Sequence, residues 1–117
     1  MTEQGYVKEV LASYLSLPHT ARRVGPADRR LARSLFSENV ALDVVLSALL
    51  LGSLRRLVGR AADAAPLPTV RSLAYFVPII EELRPAPLDP SYHAYLRQTF
   101  LRALATRGQK PAVSSGR

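Results

Sequence analysis

One stretch limits the fold more than any other: residues 40–60, VALDVVLSALLLGSLRRLVGR. Its first half is apolar almost all the way round, and Arg55, Arg56 and Arg60 fill its last turns. A helix lying on a protein surface carries one apolar stripe. Here Val44, Val45, Leu46, Leu49, Leu50 and Leu51 spread over more than one, so the helix has neighbours on several sides. Its uncharged part, residues 44–54, is 11 residues long, whereas a bilayer span takes about 20. The stretch predicts the buried central helix of a small all-α domain and excludes a membrane anchor.

The flanking chain is punctuated for further helices. Val7, Val10, Leu11, Tyr14 and Leu15 recur at helical spacing and predict a first helix over residues 6–17, with Lys8 and Glu9 opposite and Pro18 as its end. After a connector at 19–25, Gly25-Pro26-Ala27-Asp28 opens a second helix. Proline suits a first turn, and an aspartate there complements the helix dipole. Leu31, Ala32 and Leu35 face inward and Phe36 helps close that face, while Asn39 suits the end of this helix or the cap of the next. Gly52, in mid-helix, costs about 1 kcal/mol relative to alanine and fits a close crossing by another backbone. Residues 61–68 read as a linker.

Residues 69–83 predict a fourth helix, capped by Thr69 or Ser72. Leu73, Phe76, Ile79, Ile80 and Leu83 form its inner face, and Pro78 bends or breaks it. Asp89-Pro90 is the sharpest helix start in the chain, an aspartate cap followed by proline. The fifth helix runs to about Thr106, with Tyr92, Tyr95, Leu96, Phe100, Ala103 and Leu104 available to the core, and Gly108 stops it. The expectation is one all-α domain over residues 1–107, a compact bundle of about five helices around residues 40–60, then a disordered tail at 108–117.

Composition bears on partners. Of 16 basic residues 14 are arginine, against nine acidic ones, and the net charge of +7 favours an anionic partner, most simply nucleic acid. The absence of cysteine excludes a disulfide framework and thiolate zinc sites and agrees with a cytoplasmic setting. MTEQGYVKEV lacks the basic-then-apolar layout of a signal peptide. His19 and His93 each stand without a second metal-ligand type at helical spacing, and Glu81 and Glu82, being adjacent, point to different helix faces. No phosphate loop or nucleophile elbow is present, so neither enzyme activity, nor a metal, nor a cofactor is expected.

The arginines are the candidate site. Arg22, Arg23, Arg29, Arg30 and Arg33 put five positive charges in 12 residues, offset only by Asp28. Arg55, Arg56 and Arg60 form a second group, with Arg71 a linker away. Guanidinium groups bind phosphate oxygens through paired hydrogen bonds, which suits contact with a DNA backbone and carries no base specificity. Cations at a helix C-terminus also complement its dipole, a purely structural role for the second group. Tyr75 and Phe76 sit inside an apolar run, and Tyr6, Tyr14, Tyr92 and Tyr95 fall at core-compatible spacings, which weighs against single-strand binding by exposed rings. A helical adaptor whose arginines meet an acidic protein is the alternative, and a steep salt dependence of DNA binding separates the two.

The succession of a basic helix with an aspartate turn, N-V-A-L-D-V-V-L-S-A-L, a linker and V-R-S-L-A-Y-F-V-P-I-I-E-E-L resembles helical modules of replication proteins from phages, plasmids and integrated elements. The nearest family is the DnaD-like replication-initiation proteins. In them a V-x-x-A-L helix precedes a segment like N-P-x-A-Y-F, matched here by Val45 to Leu49 and by Ala74-Tyr75-Phe76. The resemblance covers residues 28–83. It implies DNA binding and contact with a helicase loader or another replication protein, without catalysis, and an Ala-Tyr-aromatic segment packed into the core.

Overall fold

The computed structural model describes residues 1–58, 68–85 and 89–116, with side chains as far as Ala105. Within them the chain is helical: α1 (Glu3–Leu15), α2 (Pro26–Ser37), α3 (Leu42–Leu57), a 3-10 turn (Leu73–Phe76), α4 (Val77–Leu83) and α5 (Tyr92–Gly116). The expected all-α bundle is what the chain forms. The expected linker at 61–68 lies outside the described residues except for Pro68. Among the described residues no helix is long and apolar enough to cross a membrane.

Local chemistry sets the helix ends. The first helix begins three residues before its apolar period because the Thr2 hydroxyl accepts from the Gly5 N–H at 3.0 Å, capping it. It ends at Leu15, and Leu17 enters the core from beyond the helix. Asn39 closes α2 in the left-handed conformation, with φ 62. Its N–H bonds the Phe36 carbonyl and the Val40 N–H reaches back to Leu35, the paired bonds of a Schellman ending. Val40 and Leu35 are both buried, which supplies the apolar contact of that motif. The Val40 carbonyl also accepts from the Tyr6 hydroxyl at 2.8 Å, and burial pushes that phenol up to about 12, against the nearby Arg84 charge.

The central helix is central. It packs against α1, the 3-10 turn, α4 and α5, while α1 also packs against α2. Val45, Ser47, Ala48 and Leu49 are essentially inaccessible, and Tyr14 and Phe76 meet edge-on in the core at 6.3 Å. Leu46, Leu50, Leu51 and Leu54 remain partly exposed.

Around Pro78 the expected fourth helix resolves into two pieces, a 3-10 turn and a seven-residue α4 with proline in its first turn. Ser72 is the cap, accepting from the Ala74 N–H at 3.0 Å. Of the segment expected in the core, only Phe76 is there; Ala74 and Tyr75 are exposed. Asp89 organises the approach to α5, its Oδ1 accepting from the Ser91 N–H at 2.8 Å and hydroxyl at 2.6 Å, and these bonds lower its pKa. The helix proper starts at Tyr92. It does not stop at Gly108 but continues to Gly116, replacing the expected tail with helical backbone. A glycine weakens a helix by about 1 kcal/mol and does not by itself end one.

Gly52 answers to a close approach, by side chains and not by a backbone. A Cβ there would lie 2.7 Å from Ile79 Cδ1 and 2.8 Å from the Phe76 ring. The Ile79 methyl can move, but the Phe76 ring is 1 % exposed and held on all sides. Overpacking costs about 1–3 kcal/mol and alanine's helix propensity offsets about 1, so Gly52→Ala is expected to lose about 1 kcal/mol net. A lowered thermal midpoint checks this; an unchanged or raised one would show that α4 shifts freely on α3.

Candidate functional site

The two arginine groups meet different fates. Arg55 forms a two-pronged pair with Glu82, at 2.9 and 2.7 Å, which raises the guanidinium pKa and lowers that of the carboxylate. Arg56 lies along the protein: its guanidinium bonds the Pro68 carbonyl and the Tyr75 hydroxyl and sits 5.5 Å above the Tyr75 ring. Arg55 joins α3 to α4 and Arg56 joins it to the segment before α4. Arg60 lies outside the described residues. The second group is therefore spent on internal contacts at Arg55 and Arg56. Glu81 and Glu82 serve separate arginines, Glu81 bonding Arg84 at 3.1 Å, while Arg84 also reaches Glu38 at 3.2 Å.

Arg22, Arg23, Arg29, Arg30 and Arg33 are all exposed, and none of the ion pairs among the described residues involves them. The one carboxylate among them is turned away. Asp28 is 6 % exposed; its Oδ2 accepts from the Gly25 N–H at 3.0 Å, and its Oδ1 from the Leu73 N–H at 2.9 Å and the Ser72 hydroxyl at 3.3 Å. It was expected only to complement the dipole of α2. In fact it caps α2 and ties that end to the 3-10 turn across 45 residues of sequence.

A second tie lies beside it. Thr20 and Val70 form an isolated parallel bridge, with Val70 N–H on the His19 carbonyl at 2.7 Å and Ala21 N–H on the Val70 carbonyl at 2.8 Å. This register places Arg71 alongside Ala21 and Arg22. Arg71 is exposed there, in the same segment whose Pro68 and Tyr75 the Arg56 guanidinium bonds. Arg22 itself holds φ 67, a left-handed conformation that glycine adopts more cheaply. Arg29 and Arg33 edge a groove of about 590 Å³ between α1 and α2, floored by Val7, Leu11 and Leu15.

The aromatic residues depart from expectation. Tyr6 and Tyr14 are core, but Tyr75 is 45 % and Tyr95 62 % exposed. Tyr75 falls off the stripe made by Leu73, Phe76, Ile80 and Leu83, a sign present in the sequence. The stacked pair Tyr92–Tyr95, 6.4 Å apart, lies on α5.

His93 Nδ1 lies 3.4 Å from the buried Ser47 hydroxyl, in a cleft of about 460 Å³ that Asp43, Arg84 and Asp89 also line. Among the described residues no three acidic, histidine or cysteine side chains converge as a metal site.

Fold and site together define a small all-α protein with exposed arginines on α2 and on two paired connectors. Compared with protein-family models, with curated proteins and with solved structures, the chain matches none.

Proposed function

We propose that this protein binds nucleic acid, DNA in the first place, by gripping the phosphate backbone with Arg22, Arg23, Arg29, Arg30, Arg33 and Arg71, without catalysing a reaction. One observation carries the reading: these guanidinium groups are all exposed and without an ionic partner among the described residues, while the carboxylate in the midst of the first five is bonded inward. Arginines held apart from internal carboxylates are available to phosphate oxygens. Arg55 and Arg56 are left out of the contact set because they already bind within the chain. The resemblance of residues 28–83 to DnaD-like modules extends the reading to replication of a phage, plasmid or other mobile element in a prokaryotic cytoplasm, beside a helicase loader or another replication protein.

The test is charge reversal. Arg29→Glu with Arg33→Glu is expected to weaken binding to all DNA sequences alike, because phosphates carry no sequence information. Each backbone contact contributes about 0.9 to the slope of log affinity against log salt, so losing both should flatten it by about 1.8. Circular dichroism should be unchanged, since both positions face solvent. Glu9→Lys, on the exposed side of α1, controls for net charge alone. Wild-type protein that ignores DNA at low salt would end the proposal.

A second reading is favoured by one feature, the apolar floor beneath Arg29 and Arg33. An acidic amphipathic helix of a partner protein fits such a groove, apolar side down and carboxylates to the arginines. Loss of a protein partner with Leu11 variants, alongside salt-insensitive or absent DNA binding, would favour it.

A further inference from the structure

We infer that the arginine face takes single-stranded nucleic acid, with Tyr75 as the platform on which one unpaired base stacks. The inference rests on the backbone-binding reading above and adds the class of strand. A base inside a duplex is covered on both faces by its neighbours. An exposed aromatic ring among cations therefore offers an energetic advantage only to a strand whose bases are free.

Tyr75 meets that description in four respects. Its position follows from the paired connectors: Val70 is bridged to Thr20, Arg71 follows beside Arg22, and Tyr75 comes four residues later on the 3-10 turn. That turn is fixed at its start by the Ser72 cap and by Asp28 holding the Leu73 N–H. The ring is seated from within, its neighbour Phe76 meeting it at 5.0 Å and 80° from the buried core. The Arg56 guanidinium sits 5.5 Å over the ring and bonds the hydroxyl at 3.3 Å. A tyrosine held this firmly loses little rotamer freedom when a base arrives, yet 45 % of the residue stays accessible. Arg71 and Arg22, on the adjoining connectors, are placed to take the phosphates flanking the stacked base.

The experiment is anisotropy titration at low salt with a labelled mixed-sequence strand of about 20 nucleotides, longer than the about 4–16 such sites cover, and with the corresponding duplex. Tyr75→Ala is expected to weaken single-strand binding about 5- to 150-fold and to leave duplex binding within about twofold, the range that loss of one stacked base produces. Tyr75→Phe keeps the ring and should keep most of the affinity. Tyr95→Ala, at a more exposed ring on α5, should change little. Equal losses on strand and duplex, no loss on either, a Tyr75→Phe defect as large as that of alanine, or a matching loss with Tyr95→Ala would each overturn the inference. Should Tyr75→Ala bind normally while the Arg29 and Arg33 reversals abolish binding, the backbone reading stands and the stacking inference falls. Wild-type protein that binds neither strand nor duplex ends both.

Discussion

Leu49→Ala is expected to lower the stability of the whole domain by about 2–5 kcal/mol, the range for truncating a buried leucine in a core that cannot collapse around the gap. Leu49 is 1 % exposed on α3, the helix that packs against α1, the 3-10 turn, α4 and α5. A cavity at this point borders several elements at once, and no single one of them can move to fill it without losing its other contacts. For a domain of this size a change at the lower end of that range already shifts the thermal midpoint by several degrees. Leu101, 52 % exposed on α5, gives the comparison. Leu101→Ala should leave the midpoint almost unchanged, and if the two substitutions melt alike, α3 is not the helix that holds the core.

Asp28→Ala should lose about 2–4 kcal/mol, which is large for one surface-helix residue. Two effects combine. The buried Leu73 N–H loses its acceptor, at a cost of about 1–3 kcal/mol, and α2 loses the bond closing its first turn, worth about 0.5–2. Asp28→Asn separates them. Its amide oxygen can still accept from Leu73, but its NH2 then meets the Gly25 N–H donor to donor, so its loss should be intermediate. The substitution also discriminates on function. It removes a negative charge from among the arginines, and charge alone predicts tighter DNA binding. On the proposed backbone-binding reading the opposite result is expected, because the connection between Arg22–Arg33 and Arg71 slackens. Denaturant melts and DNA titration on the same samples settle both points; tighter binding by the alanine variant would show that the arginines need no such alignment.

How much of this could be read from residues alone depends on how far apart the interacting residues lie. Prolines and caps are local signals, so Pro26 at the start of α2, the break at Pro78 and the Asp89 turn were legible. So was the burial of Val44, Val45, Ala48 and Leu49, because an apolar run without a polar face has no other place in a small domain. The Thr2 cap was missed because the apolar period begins only at Tyr6. Partners 27 or more residues apart left no trace: Arg55 with Glu82, Asp28 with Leu73, Thr20 with Val70. Helical spacing shows which residues share a face, not which neighbour that face meets. The parallel bridge likewise sets Arg71 alongside Ala21 and Arg22, a neighbourhood that spacing along the chain does not show. Tyr95 reads as core from its spacing and Tyr75 from its place in an apolar run, and neither sign says that a neighbour covers the ring.

The Thr20–Val70 bridge has a consequence for the order in which the molecule is made. It closes a loop of fifty residues, and loop-closure entropy for that length is of order 3 kcal/mol, which nearby contacts must repay before the two connectors stay together. Helices α1, α2 and α3 are drawn from the first 57 residues and can associate while the second connector is still being synthesised. The arginine face has no such head start: Arg71 arrives only after α3 is complete, and Asp28 waits for Leu73 even longer. A nascent chain therefore carries most of these arginines well before the contacts that arrange them, and those contacts become possible only once Val70 and Leu73 have been added.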